Sequence, residues 1–227
     1  MTPGAVIFDF NGTISDDEGL LAELFEQIFA EAGIAVPAAR YFEEFAGYSD
    51  EEICRRVLAA HGRLGEPGLL DHAIARRAEL YLQAQRRQPT VRPQAAACVR
   101  EIAARVPVAI ASGAARAEIE GVLEAAGLRA LFEVLVCMED VEHGKPDPEG
   151  YLTALSGLNA TLSAPVAAAD VLVFEDSEQG LRAALAAGMR CVVIAGTASP
   201  GRLTGAAAIV GALDWSIPEI GGMFDAD

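Results

Sequence analysis

Short apolar runs recur along the chain. Ala5-Val6-Ile7-Phe8 stops at Asp9, and similar runs follow at Val106–Ala111, Val134–Cys137, Val171–Phe174, Cys191–Ile194 and Ala207–Val210. Runs of this length with little polar alternation predict strands buried on both faces, as in a parallel sheet. Between most of them apolar residues return at helical spacing, over Arg116–Ala126, Pro148–Leu158 and Glu178–Ala187. Strands alternating with helices predict an α/β fold, a Rossmann-like three-layer α/β/α core around a parallel sheet. Ligands of such sheets bind outside the carboxyl ends of the strands.

Residues 16–88 break the alternation. Leu20, Leu21, Leu24, Phe25, Ile28 and Phe29, then Ile53, Val57 and Leu58, repeat at helical spacing with no strand between them. Ser49 with Glu52 three residues on carries the pattern of a capping box at a helix start. The pattern predicts two units: a Rossmann-like core from residues 1–15 and 89–227, and a small all-helical cap, residues 16–88, inserted after the first strand. The hinges fall near Ser15–Asp17 and Gln88–Arg92. A cap so placed lies over the functional edge of the sheet.

Composition narrows the classes. The 227 residues carry a formal net charge of −16, which repels a phosphate backbone and argues against nucleic acid as a partner. It also repels a small anionic substrate unless a bound cation reverses the local field. The four cysteines, Cys54, Cys98, Cys137 and Cys191, lie dozens of residues apart with no zinc-like spacing. No apolar run reaches the ~18 residues a membrane span needs. The first nine residues lack a basic region and meet an acid at Asp9, so neither a signal peptide nor a membrane is expected. The expected location is cytoplasmic, and the sequence leaves monomer and homodimer both open.

The residues that close each apolar run carry the chemistry. Asp9-Phe10-Asn11-Gly12-Thr13 follows the first run, and Ser112-Gly113 follows Val106–Ala111. Glu142-His143-Gly144-Lys145-Pro146-Asp147-Pro148 lies just past Val134–Cys137, and Glu175-Asp176-Ser177 follows Val171–Phe174. A carboxylate, a hydroxyl, an ammonium and an acidic pair thus converge on one sheet edge. Lys145 is the only lysine in a chain whose other basic side chains are arginines, which points to a site that needs an ammonium.

These four segments, in this order, resemble the signatures of the haloacid dehalogenase superfamily, within it the phosphoglycolate phosphatase and β-phosphoglucomutase-like branch with a helical cap. The resemblance spans essentially the whole chain. It implies a phosphatase-type hydrolase acting on a small phosphorylated metabolite through an aspartyl-phosphate on Asp9, with Mg²⁺ as cofactor. By the same resemblance Asp9, the Asn11 backbone carbonyl and Asp176 hold the metal, with Glu175 assisting directly or through water. Ser112 and Lys145 grip phosphoryl oxygens, and backbone N–H groups near Gly12, Thr13 and Gly113 are further donors. Gly47 and Tyr48 in the cap are the expected substrate contacts.

One residue departs from the family pattern. Most phosphatases of the superfamily carry a second Asp two residues after the nucleophile as general acid and base; here it is Asn11. An amide donates a hydrogen bond but does not transfer protons, and such help is worth typically about 10²–10⁴-fold. Three readings follow: a substrate whose leaving group needs little protonation, a different proton-transfer group among His143, His61 and His72, or a weakened member that acts as a binding protein. Haloacid dehalogenases also lack the second Asp and form the alternative activity, although Glu175-Asp176 looks built for a cation. Phosphonate cleavage would need a cap lysine, and the cap has none. A sugar-phosphate mutase would need a basic residue where Ala46-Gly47-Tyr48-Ser49-Asp50 is acidic.

Overall fold

The computed structural model describes residues 2–224. Its centre is a parallel sheet of six strands: β1 (Ala5–Phe8), β2 (Val108–Ala111), β3 (Val134–Val136), β4 (Val171–Glu175), β5 (Arg190–Ile194) and β6 (Ala208–Val210), in the order β3-β2-β1-β4-β5-β6. The order reverses direction at β1, and a reversal of this kind opens a crevice at the carboxyl ends of the strands. Strand β2 begins two residues later than the apolar run. Pro107 has no N–H to give the ladder; it takes part only through its carbonyl, which accepts from Val6.

Both faces of β1 to β5 are covered, which is why these strands read as unbroken apolar runs, whereas Ile209 on the edge strand β6 is exposed. Val6 and Phe8 point to one face and Ala5 and Ile7 to the other, the period of two that a pleated strand imposes. Helices α5 (Pro93–Ala103) and α6 (Arg116–Ala125) cover the first face; α7 (Glu149–Thr161) and α8 (Glu178–Ala186) cover the second. Strand–helix alternation does not mark α5, because much of its buried stripe is alanine and cysteine. Phe8 stacks on Phe174 at 5.3 Å and meets Phe132 edge-on at 6.1 Å. Each fully buried Phe stabilises the fold by about 1.5–3 kcal/mol, and these rings fix β1 against β4 directly beneath the site.

Residues 18–87 are helical: α1 (Glu18–Glu31), α2 (Ala38–Arg40), a π-helical turn (Tyr41–Phe45), α3 (Asp50–Ala60) and α4 (Leu69–Arg87). Helix α4 packs along α1 and α3. The apolar core of this insert is continuous with the α5/α6 face of the sheet. Ser49 caps α3, its Oγ accepting from Glu52 N at 3.3 Å. The return bond of a full capping box is missing, because the Glu52 carboxylate binds Arg56 one turn on, at 2.7 Å. The two chain crossings at the root of the insert lie side by side: Asp16 N donates to Thr90 O at 3.0 Å and the Ser15 and Thr90 hydroxyls are 2.5 Å apart. All four cysteines are free and buried. Among the described residues no helix is long and apolar enough to cross a membrane.

Candidate active site

Asp9 extends β1 by one residue, its N–H donating to Phe174 O at 2.9 Å. In register, Phe8 faces Phe174 on one side and Ile110 on the other. The residues just beyond, Asp9, Glu175 and Ser112, therefore emerge together at the switch point of the sheet. Lys145 arrives from the loop after β3; its ammonium binds the Asp9 carboxylate and, at 2.5 Å, Glu175 Oε1. Asp176 follows β4, and ligand atoms of Asp9, Glu175 and Asp176 all lie within 4.8 Å of one another. The four segments singled out from the sequence are thus brought to one place.

Glu175 is wholly buried and its two oxygens are surrounded by donors. Oε1 takes Lys145 and the Tyr151 hydroxyl, at 2.8 Å; Oε2 takes Asp176 N at 2.9 Å, Ser177 N at 3.0 Å and Ser177 Oγ at 2.9 Å. Burial pushes its pKa up, but the Lys145 charge and these donors prevail and hold it below the usual carboxylate range. Gly180 stands behind it, where any Cβ would collide with the Glu175 carboxylate. Glu175 orients Lys145 and the start of α8; direct metal ligation by it would have to displace one of these donors.

The other acids are short of positive charge. Burial raises the pKa of Asp9 to about 7 against the pull of Lys145. Asp176 is driven well above the carboxylate range by burial first and then by the charges of Glu18, Glu175 and Asp9. Only the Thr197 hydroxyl reaches Asp176 Oδ2 from the far side. Gly12, at φ 71°, lets the loop pass so close to Asp176 that a Cβ there would strike its carboxylate. This oxygen-only set of convergent, under-neutralised carboxylates fits a hard cation such as Mg²⁺.

Two acids of this cluster carry no signal in the motif segments. Asp17 is buried and Glu18 is the first residue of α1. Asp17 accepts from Asn11 Nδ2 at 3.0 Å, Gly12 N at 3.3 Å, Ser15 Oγ at 2.7 Å and the Tyr81 hydroxyl at 2.5 Å. Burial nonetheless raises its pKa to about 6. Glu18 is raised to about 8 by burial and by the neighbouring Asp17 charge, and its Oε2 is buried with no partner. Their place directly after the catalytic loop was the available signal, but an acid before a helix also reads as an ordinary cap.

The remaining expectations divide. Gly47 and Tyr48 do face the site, with Ser112, Gly113 and Lys145, around a small chamber of about 30 Å³ over Asp9, Asn11 and Asp176. It adjoins a cavity of about 600 Å³ between α3 and the loops after β2 and β3. Gly113 lies under the insert: a Cβ on it would be 3.3 Å from Ser49 Cα. The backbone donors Gly12 and Thr13 engage the loop itself in this structure. The Gly12 N–H is spent on Asp17 and the Thr13 N–H on Phe10 O at 3.3 Å, because the tight loop satisfies its own amides. Of the histidines, His61 bonds the Val57 carbonyl of its own helix at 2.8 Å and His72 is exposed on α4. Only His143 lines the larger cavity, paired to Glu149 at 3.1 Å. Arg116 is tied to Asp140 at 2.5 Å and to Leu135 O at 3.2 Å. Arg86 and Arg87 are exposed.

A carboxylate and an ammonium thus line a chamber at the switch point of a parallel sheet, the edge where α/β enzymes bind their ligands. Comparison with known proteins gives the family. The pattern of the haloacid dehalogenase-like hydrolases matches residues 6–194, and the chain belongs to that family. Validoxylamine A 7'-phosphate phosphatase of Streptomyces hygroscopicus subsp. limoneus is 31% identical over 201 residues, 82% of this chain and 83% of that enzyme. The phosphorylated carbohydrates phosphatase of Thermotoga maritima is 29% identical over 198 residues, 82% of each. CbbY from Rhodobacter sphaeroides, solved with xylulose-(1,5)bisphosphate, superposes with a TM-score of 0.81 at 26% identity, over 93% of this chain and 95% of CbbY.

Proposed function

We propose that the protein is a Mg²⁺-dependent phosphatase of a small phosphorylated metabolite, of the sugar-phosphate kind named for its relatives, and that Asp9 is the nucleophile. The observation that carries this reading is the position of Asp9, on the chamber floor, bound to the sole lysine and within reach of Asp176. Asp9, the Asn11 backbone carbonyl and Asp176 would hold the cation, with Glu175 beside them. A bound Mg²⁺ would offset the charge that otherwise keeps an anionic phosphate from an anionic nucleophile.

The chain's own residues then divide the work. An Asp9 oxygen attacks phosphorus, the bond to the leaving oxygen breaks, and an aspartyl-phosphate remains for water to cleave. Lys145, steered by Glu175, and Ser112 hold the other phosphoryl oxygens where charge gathers. Asn11 donates or accepts hydrogen bonds at the leaving oxygen without moving a proton. The cavity of about 600 Å³, with Tyr48, Arg55 and Arg56 from the insert on its wall, takes the body of the metabolite. Residues 16–88 act as a cap that opens to admit substrate and closes to exclude water.

Turnover of acyl, aryl and alkyl phosphates with Mg²⁺, in wild type and Asp9→Asn, tests this. Wild type should hydrolyse the first two faster than the third, and Asp9→Asn should be inactive. Undiminished turnover in Asp9→Asn sinks the nucleophile assignment. Halide release from a haloacid without metal would replace the phosphatase reading by a dehalogenase.

A further inference from the structure

Asp17 occupies the N-cap position of α1 yet makes no side-chain bond to that helix. An N-cap Asp ordinarily accepts from the second or third helical N–H. Here the carboxylate turns back into the catalytic loop, is 1% exposed, and meets only groups able to donate: Asn11 Nδ2, Gly12 N, Ser15 Oγ and Tyr81 Oη. Asp17 also lies at the root of the insert, since Ser15 Oγ contacts Thr90 Oγ1 and Tyr81 belongs to α4.

We infer that Asp17 is the positioning residue for Asn11, and that the carboxylate at 17 dictates an amide at 11. The inference rests on the phosphatase reading for its catalytic consequence, but not for the pairing itself. A carboxylate is an acceptor, whereas an amide has one donor end and one acceptor end. Facing Asp17, Asn11 presents Nδ2 to it, which turns Oδ1 the other way and fixes how the side chain meets the leaving oxygen or the attacking water. A carboxylate at 11, half-buried, would set acceptor against acceptor and like charge against like charge, so that holding both ionised costs stability. Exchanging the two residues restores a donor–acceptor pair. Of the two N–H groups of an amide at 17, one can go to the carboxylate at 11 and the other to the Tyr81 hydroxyl, Ser15 keeping Thr90 as its partner, while the amide oxygen still receives Gly12 N. The acidic group that the family places two residues after the nucleophile has, in this chain, moved across a hydrogen bond to position 17.

The test is a double-mutant cycle of Asn11→Asp, Asp17→Asn and the two together, read by melting temperature without substrate and by kcat/KM across a series of leaving groups. Asn11→Asp should lower the melting temperature by several degrees, and adding Asp17→Asn should recover most of the loss. On alkyl phosphates the double variant should exceed each single variant at least tenfold. Its rate should depend less steeply on leaving-group basicity than that of Asn11→Asp, whose new carboxyl faces the Asp17 carboxylate with no donor between them. Additive melting shifts and rates overturn the inference, as does an Asn11→Asp variant that is undestabilised and gains alkyl phosphatase activity alone. If Asp17→Asn does not fold, Asp17→Ser supplies the same cycle. If no protein in the set turns over any phosphate, the phosphatase reading fails, and the melting cycle still decides the pairing.

Discussion

Two buried clusters in this molecule set acids against a single cation, and they resolve the charge differently. Away from the chamber, Arg77 of α4 is 1% exposed and binds Asp50 at the start of α3 and Glu118 of α6, the latter at 2.7 Å. At the site, the carboxyl groups of Asp9, Asp17, Glu18, Glu175 and Asp176 share only Lys145. The first cluster pins the insert to the core and its arginine meets both acids in person. The second is left with surplus acid that no side chain neutralises. Structural ion clusters are close to complete within the fold; a surplus retained at a cavity floor marks a place where something else is meant to bind.

Removing each cation separates the two roles most sharply. Arg77→Met strands two buried carboxylates, and breaking a buried ion pair from one side costs about 3–5 kcal/mol. The melting temperature should fall by roughly 10 °C, and adding Glu118→Gln should return part of it. Lys145→Met also takes the cation from buried Asp9 and Glu175 and should melt lower too. It alone should cut kcat on aryl phosphates by a factor on the order of 10³, the scale of losing one transition-state charge partner. Thermal melts and steady-state rates on both variants decide the comparison. If Lys145→Met melts as low as Arg77→Met while its rate holds, the clusters have been assigned the wrong way round.

Magnesium should act on one cluster alone. A ligand at about 100 times its Kd stabilises by about 2.7 kcal/mol, which is roughly 5–10 °C for a chain of this size. Wild type should show this rise over an EDTA control. Asp176→Asn should not, and Arg77→Met should keep it on its lower baseline.

The sequence disclosed the site unevenly, and for physical reasons. The strands were legible because both faces of the sheet are buried, so Ala5–Phe8 and Val171–Phe174 are apolar throughout. Asp9, Ser112, Lys145, Glu175 and Asp176 were legible because strand ends define where they must stand. Arg77, Tyr81 and Glu118 were not, since each looks like any polar residue on an amphipathic helix until the insert folds over the core. That the amides of Gly12 and Thr13 meet Asp17 and Phe10 O within their own tight loop is likewise something a linear pattern does not reveal. Asp17 and Glu18 lay in plain view, but hinge and helix cap were the readings their positions allowed.

Acidity should sharpen the contrast further. Asp17, Asp9 and Glu18 have folded pKa values raised to about 6, 7 and 8, so the folded chain binds protons more readily than the unfolded one. By linkage that contribution to stability is fully present below the unfolded values near 4 and is lost as pH rises through about 6 to 8. Metal-free protein should therefore melt higher at pH 5 than at pH 8. Saturating Mg²⁺, which favours the ionised forms, should flatten the difference. A metal-free protein that grows more stable from pH 5 to pH 8 would mean the floor is not charge-saturated.

The smallest effect isolates a single member of the surplus. Glu18 is the acid of the cluster with an unpartnered buried oxygen, and its first neighbouring charge is Asp17. Its pKa is raised from 4.5 to about 8, so the unfolded chain ionises it first, and the cost of keeping it protonated in the fold grows as pH rises from about 4.5 to about 8. Glu18→Gln keeps the shape and removes the ionisable group. Without metal, the variant should be more stable than wild type at about pH 8.5, and the gain should shrink as pH falls toward about 5. Glu118→Gln offers the contrast: burial raises the Glu118 pKa too, but the change also takes a carboxylate from buried Arg77, so any gain at that alkaline pH should be smaller than that from Glu18→Gln. A pH-independent gain from Glu18→Gln would trace to packing or hydrogen bonding, and the surplus would then reside in Asp9, Asp17 and Asp176 alone.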